Sequence, residues 1–241
     1  MLNEQINRRA TVFISDNRMM NNRDLTILNP LMQDFALLPS ANEQMSFQIT
    51  PNGLQPIKGL SIDLRSDNDS FKIAFGPGRI DILRNKISIE DNLEPLDDFV
   101  LKVNSIITRL TNLYPEWKIN RLALCLNVCF DLDDEHLASS YRKFLVDDSQ
   151  NVVEWRLRNV IRKTLSGENN IVVNQVSTIS RSVFQTSFEQ LPLDRILVET
   201  DFNTMVGQNI DFNRELIESI LNKIQTDSLQ LIDKYNRLLT E

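Results

Sequence analysis

Alternation of apolar and polar residues dominates the first third of the chain and predicts β-strands there. Four stretches follow this two-residue period: residues 10–16, 45–50, 60–66 and the two arms of segment 71–85. The segments between them carry proline, asparagine and glycine, which is typical of turns. A short helix is predicted at 31–38.

The segment FKIAFGPGRIDILRN, residues 71–85, holds two closely spaced glycines and therefore allows either a phosphate-binding loop or a turn. A phosphate loop needs backbone N–H donors that lead into a helix, but Pro77 has no N–H and a strand pattern follows it. With a four-residue loop at 75–78, apolar residues face each other and Lys72 faces Asp81. The sequence therefore predicts a β-hairpin.

A helical period of three to four residues begins near residue 94 and continues to residue 113. Asp91 or Asn92 is placed to cap this helix, Pro95 suits its first turn, and Pro115 ends it. We expect a long amphipathic helix.

The next stretch, residues 117–131, has apolar residues on both faces, which is typical of a central strand. It contains the two cysteines, Cys125 and Cys129, which lie on one face about 13 Å apart in a strand. That separation is too long for a disulfide bond. We expect two buried free thiols and a reducing, cytoplasmic environment.

The second half continues with a short helix that begins in acidic residues, then three strands near 152–163, 170–181 and 194–202. A long terminal helix is predicted over 211–239. Apolar residues form a seam along it, which we take as candidate interface residues: Ile217, Leu221, Ile224, Leu231, Tyr235 and Leu238. This seam suits packing on the protein's own sheet or on a second copy.

These elements predict an α+β fold, in which antiparallel sheet carries long helices packed on one face. Residues 1–114 and 115–241 share the order strand, short helix, strands, long helix. The sequence therefore favours either two such halves or one continuous domain.

Composition narrows the function classes. The chain has 241 residues, 27.9 kDa, a formal net charge of −7 and a pI near 4.9, so its overall field repels phosphate backbones and anionic membranes. The N-terminus is too polar for a signal peptide, and no apolar stretch is long enough to span a membrane. Nucleic acid is therefore expected only at a local patch, and no membrane partner is expected.

The segment VVEWRLRNVIRK is the most informative polar feature. Arg156, Arg158 and Arg162 share one face of the predicted strand, opposite apolar residues. Guanidinium groups bind phosphates and carboxylates equally well. The strip is thus a candidate ligand site, but the acidic total of the chain favours a solvated face or ion pairs with neighbouring acids such as Glu199 and Asp201.

Glu199 and Asp201 share one face of a later strand. Carboxylates at this spacing can bind a divalent cation or transfer protons. No lysine stands at the spacing of a nuclease site, so an ion-pair ladder with the arginine strand is favoured over a metal site.

Three further polar residues have weaker signals. Arg121 and Asn127 lie on the less apolar face of the predicted central strand, where they can line a pocket or satisfy nearby loops. His136, the only histidine, has no nucleophile beside it in sequence. No pattern points to a cofactor.

The stretch INRLALCLNVCF after a long helix, followed by ILVETDFNT before a terminal helix, resembles a family of sporadically distributed bacterial proteins of unknown function. The likeness spans residues 90–240, and Arg121 and Asn127 match an arginine and an asparagine of that family. The patchy distribution of that family fits an accessory or defence-associated role, and the resemblance does not point to any particular activity.

Three functions are therefore expected, in this order. The first is a non-enzymatic protein-binding or assembly module that contacts a protein partner or another copy. The second is a nucleic-acid-associated accessory subunit that uses the arginine strip. The third is a metal-dependent hydrolase centred on Glu199 and Asp201.

Overall fold

The computed structural model describes residues 2–50, 53–144, 152–165, 170–186, 188–208 and 210–240. The elements of the first half are β1 (Leu2–Ile14), α1 (Asn22–Ile27), α2 (Asn29–Phe35), β2 (Leu38–Thr50), β3 (Gly53–Arg65), β4 (Phe71–Gly76), β5 (Arg79–Asn85) and α3 (Leu96–Leu113). Those of the second are β6 (Ile119–Asp131), α4 (Asp134–Phe144), β7 (Trp155–Thr164), β8 (Val172–Phe184), β9 (Leu193–Thr204) and α5 (Arg214–Thr240).

All nine strands form one antiparallel sheet in the order β2-β3-β4-β5-β1-β6-β9-β8-β7. The mixed α and β architecture and the antiparallel sheet are confirmed. The first half contributes five neighbouring strands and the second half four. The halves meet where β1 pairs with β6, at the middle of the sheet.

One cluster of buried apolar side chains runs through both halves. Ile73 of β4, Phe99 of α3, Leu124 of β6 and Ile224 of α5 are all fully buried members of it. The apolar periods of the strands and helices explain this cluster, because each element turns one apolar side towards it. The central position predicted for residues 117–131 is confirmed, since β6 has strand neighbours on both sides.

The predicted hairpin is present, but its predicted register is wrong by two residues. Gly76 pairs with Arg79, so the loop contains only Pro77 and Gly78. Gly78 has a φ of +66°, which suits the third position of a type II turn after Pro77 and which glycine adopts without strain. The Gly78 N–H donates to the carbonyl of Asp16 at 2.9 Å, so the turn is fixed against the end of β1.

The register change gives Lys72 and Asp81 different partners from those expected. Lys72 pairs with Asp63 at 2.7 Å, whereas Asp81 accepts hydrogen bonds from Thr11 and Arg79. A shift of two residues keeps every side chain on its predicted face.

Two helix predictions are corrected. The predicted helix at 31–38 is instead α1 and α2, which cover 22–27 and 29–35. The helix α3 begins after Pro95, which occupies the cap position and has no side-chain acceptor. The Asp91 carboxylate instead binds the Arg84 guanidinium at 2.7 Å. Within the described part of the chain, no helix is long and apolar enough to cross a membrane.

Candidate binding face of the sheet

The strand register brings polar residues from six strands together on one face of the sheet, which we call the polar face. Its best-defined row crosses from β5 to β7 through successive paired residues. The row consists of Asn85, Asn7, Asn127, Glu199, Thr178 and Arg158. The neighbouring row consists of Leu83, Arg9, Cys125, Asp201, Val176 and Val160.

All seven candidate ligand residues from the sequence lie on this polar face. Within each strand, the candidates share a face because residues separated by an even number of positions point to the same side of the sheet. Pairing of β6, β9, β8 and β7 then brings the strands side by side. The residues are Arg121, Asn127, Arg156, Arg158, Arg162, Glu199 and Asp201.

A shallow cavity of about 340 Å³ opens on the polar face. Its floor comes from β1, β5, β6, β8 and β9, and two arginines of β7 stand at one side. The polar side chains that line it are Asn7, Arg9, Asn85, Asn127, Arg156, Arg158, Thr178, Glu199 and Asp201.

The arginine strip of β7 forms few internal ion pairs. Arg156 approaches Glu199 at 3.4 Å across the intervening strand β8, and 67% of the Arg156 side chain is exposed. Arg162 donates a long hydrogen bond of 3.4 Å to Asn174. Arg158 is exposed and has no ion pair with any described residue. The expected ladder is thus limited to one surface pair, which contributes little stability.

Arg121 and Asp201 belong to a connected polar network. The Arg121 guanidinium donates to Asn203 Oδ1 at 2.7 Å and to the Thr204 carbonyl at 3.1 Å. The Asn203 amide donates in turn to Asp201 at 3.1 Å. The ring of Phe13 lies 4.8 Å from the Arg121 guanidinium, which restrains it further.

Three asparagines of the best-defined row have side-chain amides without a hydrogen-bond partner among the described residues: Asn7, Asn85 and Asn127. All three are partly buried. Amides placed side by side present both donors and acceptors to a ligand. Sequence reasoning found only Asn127, because Asn7 and Asn85 join it through long-range strand pairing.

The two cysteines are free and buried, as expected. Burial raises the pKa of Cys125 to about 11, with Asp201 adding to the rise and Arg9 opposing it from 3.5 Å. Burial also raises the pKa of Cys129, to about 12. Both groups are therefore thiols at neutral pH and unsuited to nucleophilic attack.

We expect the two thiols to react with iodoacetamide at pH 8 about 100-fold more slowly in the folded protein than in denaturant, because the thiolate is the reactive species. Mass spectrometry of timed samples measures this rate. The denatured chain is the internal control. Modification of either cysteine at the denatured rate would contradict the assignment.

The described residues contain no group of three histidine, cysteine or carboxylate side chains able to hold a metal ion. Glu199 approaches Arg156, and Asp201 accepts from Asn203. His136 lies away from both, where its ring Nδ1 is 2.7 Å from Asp133 at the start of α4.

The candidate interface residues of α5 lie mostly in the interior. Ile217, Leu221, Ile224, Leu231 and Tyr235 are buried, whereas 37% of Leu238 is exposed. The Tyr235 hydroxyl donates to Ser177 of β8 at 2.8 Å.

No protein-family model matches this chain, and no curated protein matches it at a significant level of similarity.

Proposed function

We propose that this chain is a non-enzymatic protein-binding module whose partner contacts the polar face. The observation that carries the proposal is the placement of all seven candidate ligand residues on that one face, where all of them except Arg121 and Arg162 line a cavity of about 340 Å³. The resemblance described above is consistent with this role, since it implies an accessory or defence-associated protein.

The opposite face of the sheet is, in this proposal, covered by α3 and α5. The Tyr235 hydroxyl of α5 reaches Ser177, which lies on that opposite face. Gln225 of α5 also donates to Asp97 at the start of α3. The apolar seam of α5 then packs within the fold, and the polar face is left for a partner.

A protein partner suits the charges of the polar face better than a nucleic acid does. The face carries arginines at its β7 edge, and Arg9 and Arg121 lie on its central strands. Asp81, Glu199 and Asp201 lie among the same central strands. Those carboxylates repel a phosphate backbone, and the whole chain carries a net charge of −7. Mixed charges and amides match a protein surface.

A nucleic-acid-associated accessory subunit is the second candidate function. The observation that favours it is the composition of β7, which has four cationic residues and no acidic one. Such a strip binds phosphates with an affinity that falls steeply with salt.

The test is affinity capture from the cells that make the protein, with nuclease treatment and native mass measurement. We expect a protein partner or a second copy to survive nuclease, and to be reduced at least tenfold when Arg156, Arg158 and Arg162 are all replaced by alanine. The matched control replaces three exposed helix residues by alanine: Arg142, Arg214 and Arg237. It removes the same amount of positive charge as the β7 variant.

Three results would decide the question. Loss of the partner only in the β7 variant supports the proposal. Equal loss in both variants shows a general charge effect and contradicts it. Recovery of nuclease-sensitive nucleic acid, with no protein, moves the assignment to the second candidate.

A further inference from the structure

The strand β7 lies at one end of the sheet and pairs only with β8 among the described strands. Its outer side therefore presents backbone N–H and C=O groups that no described strand uses. Two apolar side chains on this strand are also exposed, Val160 at 48% and Ile161 at 44%. Edge strands with these properties are templates for pairing with another strand.

The charge of β7 is uniform. Arg156, Arg158, Arg162 and Lys163 are its only charged residues. Lys163 pairs with Asp227 of α5 at 3.5 Å, whereas Arg158 has no ion pair with any described residue. The edge thus presents unneutralised positive charge beside an unpaired backbone.

A second copy that pairs through its own β7 is a poor occupant of this edge. If β7 paired with β7 of another copy, cationic residues of one strand would approach those of the other with no carboxylate on either strand. Like charges at such distances across a strand pair are destabilising. If the added strand is acidic, the same contacts pair opposite charges and become attractive.

We propose that β7 accepts an extended acidic segment of the protein partner, which adds to the sheet as a tenth strand. This proposal rests on the proposed protein-binding function and names the chemistry of the partner. Backbone hydrogen bonds supply the general affinity, and side chains at alternate positions supply the specificity.

The two faces of β7 define the pattern of the segment. Arg156, Arg158 and Arg162 lie on the polar face, so carboxylates at alternate positions of the added strand meet guanidinium groups there. Leu157 and Ile161 lie on the other face and match apolar residues at the intervening positions. The predicted segment alternates acidic and apolar residues.

The probe is a fluorescent peptide of five alternating glutamate–valine pairs, and the measurement is fluorescence anisotropy at two salt concentrations. We expect saturable binding that weakens with salt. The same peptide with an N-methyl group on every backbone nitrogen keeps its side chains and charge but donates no backbone hydrogen bond to β7 from either of its edges. We expect its affinity to be at least tenfold lower.

Variants of the protein test the same contact from the other side. Replacement of Arg156, Arg158 and Arg162 by alanine is expected to weaken peptide binding at least tenfold, whereas the helix variant of Arg142, Arg214 and Arg237 keeps it. Neighbouring residues of a strand point their N–H groups to opposite sides. Of Asn159 and Val160, one therefore points its N–H to β8 and the other to the outer edge. We replace each by proline in turn. The variant whose thermal unfolding is nearly unchanged has lost only the outer N–H, and we expect it not to bind the peptide.

Equal affinity for the plain and N-methylated peptides would overturn strand addition and leave only charge attraction. No binding of the plain peptide would overturn it as well. In both cases the proposed protein-binding function stands if capture of the partner from cells still requires Arg156, Arg158 and Arg162. Failure to capture any partner, with peptide binding intact, contradicts the proposed function instead.

Discussion

Replacement of Asp24 by alanine is expected to lower the free energy of unfolding by about 3 kcal/mol, because the carboxylate is buried and fully bonded. Asp24 accepts two hydrogen bonds from the Arg18 guanidinium, at 2.8 and 2.9 Å. It also accepts from the Asn21 N–H at 2.8 Å and the Tyr114 hydroxyl at 3.2 Å. These contacts fix α1 against the end of α3.

The variant leaves several of these groups without a partner. Tyr114 is buried and stacks on Trp117 with ring centroids 3.9 Å apart, so its hydroxyl cannot turn to solvent without disturbing that stack. The Arg18 guanidinium keeps only its contact with Asp16. A buried group that loses its partner costs more than the bond contributed.

Urea unfolding followed by circular dichroism measures the loss. The control is Asp34→Ala, which removes a more exposed carboxylate whose partner is the exposed Arg109. We expect the control to change stability by less than about 1 kcal/mol. A loss of that small size in Asp24→Ala would show that the network contributes little.

Asp24 also predicts that the free energy of unfolding depends on pH. Burial raises the pKa of Asp24, but the bonds from Arg18 and Asn21 outweigh it and hold that pKa below its ordinary value. The lowered pKa means that the stabilisation is present at neutral pH and is lost as the pH falls through the folded-state pKa. We expect Asp24→Asn to unfold with less dependence on acid than the wild type.

Replacement of Ile224 by alanine is expected to cost about 3 kcal/mol, because the side chain is fully buried and its removal leaves a cavity. Its matched control is Leu238→Ala, on the same helix. Leu238 is partly exposed, so we expect its loss to cost less than about 1 kcal/mol.

The variants Ile224→Ala and Leu238→Ala also show whether the α5 seam packs within the fold or against a second copy. If the seam packs within the fold, Ile224→Ala lowers the urea midpoint equally at all protein concentrations. A midpoint that depends on concentration, or a change of native mass in either variant, would show instead that the seam joins two copies.

Local patterns predicted the elements whose neighbours in sequence determine them. The central strand β6 was predicted because its apolar residues fill both faces, and α5 because its apolar period is long. The hairpin was predicted from the alternating residues of its two arms, but the predicted register was wrong by two residues. The contact of Gly78 with Asp16, which is remote in sequence, helps to fix the shorter loop.

In the candidate site, too, local patterns predicted some features, whereas contacts between distant residues were not predicted. The positions of Arg156 and Arg158 on one face follow from the alternation of a strand alone. The approach of Arg156 to Glu199 required the order of three strands, which no local pattern contains. Asp24 was not predicted: its partners Arg18 and Asn21 are near in sequence, but its contact with Tyr114 joins positions 90 apart.

The junction of β1 and β6 has a consequence for how the chain folds as it is synthesised. Ala10 pairs with Ile82 of β5 and with Leu124 of β6, which are 72 and 114 positions later. One edge of β1 therefore stays unpaired until the whole first half and the start of the second have been made. Long-range strand pairing of this kind slows folding and exposes unpaired edges in the meantime. Until β6 is made, that edge of β1 is open to pairing with strands of other chains.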